Sequence, residues 1–358
     1  MEDLSISVLK ILILSTIGFF LSFFLTPLLT HFLFKYKFWR KEVRTKSIDG
    51  KEVPFFTKFH SEGEINTPRG GGVLIWMSTL VIAFCFYIIF EILDFLAVDI
   101  WWLSKLNFLS RSQTWLPLFA LASASLVGLI DDVLQIWGKG KYIAGGLRLR
   151  WRLILVALIG LIGGLWFYYK LGYTTIHVPG DGDYYLGFLY VPLFIIVMMA
   201  TYSGGVIDGL DGLAGGVFAI IFAAFSGISL FNGQIDLAAF CAVLAGTISA
   251  FLWFNIPPAR FYMGETGIIG LCSALTVVAF LTDSVLVLPI IGFLLVIESG
   301  SVILQLLSKK FLKRKIFLAS PIHHHFEAKG WPHYKVTMRF WVIGVVAAII
   351  GVAIRLLG

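Results

Sequence analysis

Five carboxylates in three short stretches are the residues whose types and spacing could do chemistry. Asp131 and Asp132 close an apolar run in Gly128-Leu-Ile-Asp-Asp, Asp208 and Asp211 lie in Ile207-Asp-Gly-Leu-Asp-Gly-Leu-Ala, and Glu265 follows Met263-Gly264. A spacing of three puts Asp208 and Asp211 on one face if their turn is helical. Clustered carboxylates suit a hard divalent cation, above all Mg²⁺ with phosphates as co-ligands. An acid at a helix N-terminus also complements the dipole, and Asp-Gly is ordinary turn chemistry, so none of these residues decides the matter alone. The Asp131-Asp132 pair argues hardest. It ends an apolar run, where the dipole disfavours anions, and charge beside hydrocarbon is costly and tends to be kept for function.

The opposite charge comes late in the chain. Lys309, Lys310, Lys313, Arg314 and Lys315 precede Ser320-Pro-Ile-His323-His324-His325-Phe-Glu-Ala-Lys-Gly-Trp331. A basic run beside a span commonly meets lipid headgroups. Three adjacent histidines do not make a zinc site, because neighbouring side chains diverge and no cysteine or spaced histidine completes the set. Imidazoles donating to phosphate oxygens fit better. Acids for a metal and bases for phosphates together point to phosphoryl transfer at a membrane surface.

The elements that must position these residues are membrane helices. Of 358 residues 58% are hydrophobic and 14% charged, against roughly 45–50% and about 25% in a soluble domain. Disorder is excluded, as is a disulfide scaffold, since Cys85, Cys241 and Cys272 all lie in apolar runs and read as buried thiols. A spanning helix needs about 20 apolar residues. Ten candidates run near 11–34, 71–90, 115–134, 153–169, 187–205, 213–231, 237–254, 267–282, 284–308 and 338–356. Too little chain remains for a separate soluble domain. The expected architecture is a single all-α integral membrane domain over 1–358, with about ten spans and its chemistry in helix mouths and loops.

Charge gives the orientation. The acidic start Met1-Glu2-Asp3 lacks the basic n-region of a cleaved signal peptide, so the first span is expected to be retained. Ten spans put both termini on one side. Of the 28 Lys and Arg residues, 23 fall in the odd-numbered loops or at the mouth of the last span, which assigns those loops to the cytoplasm and both termini to the outside. The net charge of +7 is then a sided membrane signature, and nucleic acid is not needed to explain it. A transporter would gather polar residues near the midplane, where only Glu298 lies. In the outer His177-Val-Pro-Gly-Asp181-Gly-Asp183 the acids look like turn residues of an exposed hairpin.

These stretches resemble the phospho-N-acetylmuramoyl-pentapeptide transferases, within the polyprenyl-phosphate N-acetylhexosamine-1-phosphate transferases. Thr67-Pro68, Asp131-Asp132, the Asp208-to-Ala214 run, Pro258-Ala259 and Met263-Gly264 look like motifs of the wider group. Pro321-Ile-His-His-His-Phe-Glu-Ala-Lys-Gly-Trp331 is the most specific, and Glu298 with Ser301-Val-Ile-Leu-Gln305 is similar to the same branch. The resemblance implies transfer of phospho-N-acetylmuramoyl-pentapeptide from its UDP-linked donor to undecaprenyl phosphate, giving lipid I and UMP with Mg²⁺. It implies a multi-pass protein of the bacterial cytoplasmic membrane, in contact with lipid, with a homodimer as one admissible assembly. A relative using UDP-N-acetylglucosamine is the nearest competitor, and the histidine run argues against it.

The resemblance also assigns roles. Asp131, Asp132, Asp208 and His324 are expected to be catalytic, with Asp131 orienting the acceptor phosphate. Glu265, Asp131 and Asp132 are expected to hold the metal. Asp211 and Asn255 would meet the uridine, Tyr262 would stack on it, Thr67 and Arg69 would contact donor, and His323 and His325 would bind donor phosphates. Several positions depart from the usual pattern. Glu64 stands in place of a lysine, Gln135 in place of another, Gly205 in place of an asparagine, Glu265 in place of an aspartate and Tyr262 in place of a phenylalanine. Arg69 would supply the positive charge lost at 64.

Overall fold

The structure, a computed structural model, describes residues 2–40, 66–98, 100–138 and 146–358. Lys139 and Lys141 lie outside the described residues, as do Glu64 and all the other charges counted between 41 and 65. Eleven helices carry the argument: α1 (Glu2–Lys35), α2 (Gly72–Phe95), α3 (Trp115–Ile136), α4 (Leu149–Leu165), α5 (Tyr190–Ser203), α6 (Leu213–Phe231), α7 (Ile235–Asn255), α8 (Gly264–Leu281), α9 (Phe293–Leu307), α10 (Ile322–Ala328) and α11 (His333–Leu357). All but α9 and α10 belong to segments long and apolar enough to cross a membrane, which makes nine such segments among the described residues. The chain is an all-α integral membrane protein.

The expected span at 284–308 is not one helix. A single turn at Leu288–Ile291 ends at Gly292, from which α9 starts afresh. The Gly292 N–H closes the first turn on the Leu288 carbonyl and its own carbonyl takes the Leu295 N–H, both at 2.8 Å. Pro289, near the start of the turn, has no N–H to give. An apolar count does not register such a break, and α9 alone has 15 residues, short of the roughly 20 a span needs.

The core is arranged around α8, nearly every residue of which is buried by protein, whereas α1, α4 and α11 turn most of their surface outward. Small residues permit that crowding. A Cβ on Gly128 of α3 would collide with the Glu265 and Thr266 backbone, one on Gly72 of α2 with Gly267, and one on Gly270 with Ser125. Small side chains at helix crossings are the usual route to close packing in membranes. Cys241 and Cys272 are buried as expected, but Cys85 is exposed on α2. Its place in an apolar run reflects an outward-facing surface, because lipid-facing positions are as apolar as core ones.

Side-chain bonds define one end of the bundle. Lys10 pairs with Asp236 at 2.8 Å and donates to the Asn107 carbonyl. Asn232 and Gln234 donate to the Thr282 and Leu281 carbonyls, Arg355 also donates to Thr282, and His177 lies 3.1 Å from the Gly358 carbonyl. Both termini therefore lie at one end. The exposed hairpin read from the sequence is present there as β1 (Thr175–Val178) paired antiparallel with β2 (Gly182–Tyr185). Its turn uses Gly180 and Gly182 at positive φ, where a side chain would be strained.

Candidate active site at the other end of the bundle

The opposite end gathers the acidic stretches. Asp131 and Asp132 lie in the last turns of α3, fully buried, and their oxygens are engaged differently. Asp132 accepts the N–H groups of Glu265 and Thr266 at 3.1 and 3.0 Å, so it satisfies two donors that the first turn of α8 would otherwise leave orphaned. The close crossing at Gly128 brings the two helix ends within reach. Asp131 accepts the Leu147 N–H at 2.5 Å and the Gln135 amide at 2.7 Å.

Two cations that sequence reasoning counted only as loop charge belong to this cluster. The Arg152 guanidinium ion-pairs with Glu265 and stands 3.7 Å from Asp131. Arg40, also buried, donates from Nε and Nη2 to the Gln135 carbonyl oxygen at 3.1 and 2.6 Å, extending a chain to Asp131. One signal was available for Arg152. It lies one turn inside an apolar helix, where a charge is costly and usually functional, and Arg148 and Arg150 before it are exposed while it is buried.

The Asp208–Asp211 turn faces this cluster. Asp208 accepts the Gly264 N–H, and burial raises its carboxyl to about 6 although Arg69 pulls the other way. Asp211 accepts the Ala259 N–H at 3.0 Å. Asn255 is committed at both ends, accepting from Gly212 N–H at 3.0 Å and donating to the Phe261 carbonyl at 2.9 Å, so it clips the 208–212 turn to the 256–263 loop. The Arg69 guanidinium lies 5.9 Å from the centre of the Tyr262 ring, and Thr67 hydrogen-bonds the Tyr262 hydroxyl. Burial raises the Tyr262 hydroxyl, and Asp211 adds to it.

The three histidines point in three directions, as successive helical residues must. His323 Nδ1 lies 2.9 Å from Glu298 Oε2 on α9, and its ring packs on Gly209, where a Cβ would collide with Nε2. His324 Nδ1 lies 2.5 Å from Glu327, whose other oxygen holds His333. His325 faces Phe317 and accepts the Leu318 N–H at 3.1 Å on Nδ1; burial lowers it, and Lys329 does so further. His324 was expected to be the catalytic ring. The structure brings His323 to the Asp208–Asp211 turn and gives His324 a carboxylate partner of its own. Glu298, read from the sequence as a structural hydrogen-bonding group or a wall of the lipid groove, and Glu327, given no role there, are the carboxylates that pair with these rings.

Among the described residues no three carboxylate, imidazole or thiol side chains are grouped to hold a metal by themselves. Asp131 and Glu265 nevertheless converge on one guanidinium. Two carboxylates completed by substrate phosphates and water are a normal Mg²⁺ set, so these residues fit the ion.

An integral membrane bundle with acids and cations gathered at one end is the setting of a membrane phosphoryl-sugar transferase. The model of Glycosyl transferase family 4 matches residues 114–283, from the start of α3 to just past the end of α8, stopping before the histidine run. Similar curated proteins include the phospho-N-acetylmuramoyl-pentapeptide-transferase of Geobacillus thermodenitrificans (strain NG80-2), 32% identical over 96% of this chain and 98% of the relative. Those of Anoxybacillus flavithermus (strain DSM 21510 / WK1) and Bacillus subtilis (strain 168) are each 34% identical, over 96% and 94% of this chain and 98% and 95% of theirs. The chain belongs to the phospho-N-acetylmuramoyl-pentapeptide-transferase family.

Proposed function

We propose that this protein transfers phospho-N-acetylmuramoyl-pentapeptide from its UDP-linked donor to undecaprenyl phosphate, forming lipid I and UMP in peptidoglycan synthesis. The observation that carries the reading is the convergence of Asp131, Glu265 and Asp208 with Arg152 and Arg69 at the mouth of α8. The site end would face the cytoplasm of a bacterial inner membrane, a reading that the Lys and Arg asymmetry of the loops supports.

The acceptor's phosphate monoester, with a second pKa near 6, is mostly dianionic at neutral pH and is itself the nucleophile. Its oxygen attacks the sugar-linked phosphorus, and the bond to UMP breaks. The difficulty is bringing two anions together, and positioned cations answer it. Asp131 and Glu265 would hold Mg²⁺, which supplies charge neutralisation on the donor pyrophosphate. Asp131 orients the acceptor, Arg69 and His323 take phosphoryl oxygens, and Asp208 keeps the network in register. His324, also expected to act in catalysis, is held by Glu327 and has its ring centre 4.2 Å from that of His323. Asp132 supports the site by fixing the start of α8. Tyr262 offers a ring face to uracil, while Asp211 and Asn255 shape the loop beside it.

The polyprenyl tail would lie on the exposed apolar side chains of α9 and the segment after it, among them Ile303, Leu307, Phe311, Leu312 and Ile316. The test is UMP release by purified protein with undecaprenyl phosphate and Mg²⁺. Release is expected from the muramoyl-pentapeptide donor. Release from UDP-N-acetylglucosamine alone would refute the donor assignment, and no release from either in folded protein would refute the reaction.

A further inference from the structure

We infer that Glu298 is a positioning residue that locks the His323 imidazole through Nδ1 and so delivers Nε2 to a phosphoryl oxygen of substrate lying over the Asp208–Asp211 turn. This rests on reading that end of the bundle as the active site. Glu298 comes from the middle of α9 and His323 from the start of α10. Both are fully buried and 2.9 Å apart. An ionised carboxylate only accepts hydrogen bonds, so the pairing fixes a proton on Nδ1 and prevents the ring from turning over.

The other ring nitrogen is left with nothing to do in the free protein. Nε2 of His323 is buried and has no hydrogen-bond partner among the described residues, and the same holds for Oε1 of Glu298. A buried polar atom without a partner is costly and calls for a reason. The site is also built to admit this nitrogen, because any residue larger than glycine at 209 would collide with it. Gly209 lies between Asp208 and Asp211, so the orphaned nitrogen is aimed at the turn that adjoins Glu265.

With Nδ1–H held by Glu298, Nε2 is the ring nitrogen left to meet substrate, and when it carries a proton it gives a phosphoryl oxygen a charge-assisted hydrogen bond. The groups facing the ring bear on that protonation. They are Glu298 from α9, Asp208 and Asp211 from the turn, the His324 ring at 4.2 Å, and Glu327 with His333 beyond it.

The experiment follows turnover of purified Glu298→Gln against pH. Glutamine keeps the shape and an acceptor for Nδ1–H but removes the charge. The expected result is a kcat lower by at least about tenfold, with KM for the donor changed less than about threefold. The alkaline limb of kcat should also move towards acid, because without the anion the second proton is held less tightly. Loss of stability alone would lower the amount of active protein and leave that limb in place. In a double-mutant cycle, Glu298→Gln should cost little more once His323→Asn is present. Should the glutamine variant prove too unstable to purify, Glu298→Asp, which keeps the charge but draws the carboxylate back by one methylene, takes its place in the double-mutant cycle. Parental kcat and pH profile, or losses that multiply in the double variant, would overturn the proposal. A parent chain that turns over no donor overturns the active-site reading, and the proposal with it.

Discussion

Asp208 sits half-buried beside Glu265 and Asp211, with its carboxyl raised from 3.8 to about 6, mainly by burial. Between those two values the unfolded chain gives up the proton first, so ionising Asp208 costs the fold stability as pH climbs through that window. Activity follows the opposite sense if the carboxylate is the working form. Turnover should fall as pH drops through about 6, and Asp208→Asn should lower the rate and remove that limb, as a kcat–pH profile would report. Arg152 makes a second test. Its removal leaves Glu265 and Asp131 facing each other in a largely buried place, a loss of roughly 3–5 kcal/mol for a broken buried pair. Arg152→Gln should unfold at clearly lower temperature than the parent, and Mg²⁺ should restore more of the difference than it adds to the parent. Equal Mg²⁺ responses in both proteins would remove Asp131 and Glu265 as metal ligands. At this scale the sequence identified the acids and the histidine run. It could not say which ring turns inward, since three successive helical positions face three ways, nor that Arg152 from α4 meets Asp131 directly and Arg40, from the segment after α1, reaches it through Gln135.

Among the elements, the crossing of α3 with α8 sets the position of every group around Glu265. Gly128→Ala would drive a Cβ into the Glu265–Thr266 backbone, and overpacking of this kind costs roughly 1–3 kcal/mol. The expected outcome is a lower unfolding temperature together with a loss of turnover larger than the unfolded fraction explains, because the displaced backbone carries the capped turn. Asp132→Ala tests that turn directly. Loss of the cap should cost about 1–2 kcal/mol, and thermal unfolding with and without Mg²⁺ would measure it. Nine of ten expected spans were legible because hydrocarbon demands long apolar runs. The break at Gly292 was hidden, since Leu288–Ile291 and α9 are both apolar and composition carries no hydrogen-bond register. Asp132, which the sequence offers as a catalytic residue and metal ligand, is found capping the start of α8. A carboxylate that caps a distant helix and one that binds a metal look alike in a sequence.

For the whole molecule, sidedness is the property that charge alone argues, and it can be checked without any substrate. Tyr185→Cys on the hairpin and Leu318→Cys beside the histidines, in a Cys85→Ser background, place thiols at exposed positions on opposite ends. An impermeant maleimide should label the first in intact cells and the second only after permeabilisation; the reverse pattern would invert the topology. The fold has a further consequence for biogenesis. The two least apolar of the nine spanning segments are those of α3 and α8, and each is the other's most extensive neighbour. At about 5–20 residues per second, the chain between Asp132 and Gly264 takes roughly 7–26 s to synthesise. For that interval α3 resides in the membrane with its two carboxylates and without the helix they serve. The acids at the mouth of α8 are thus a liability to the nascent chain until α8 arrives to receive them.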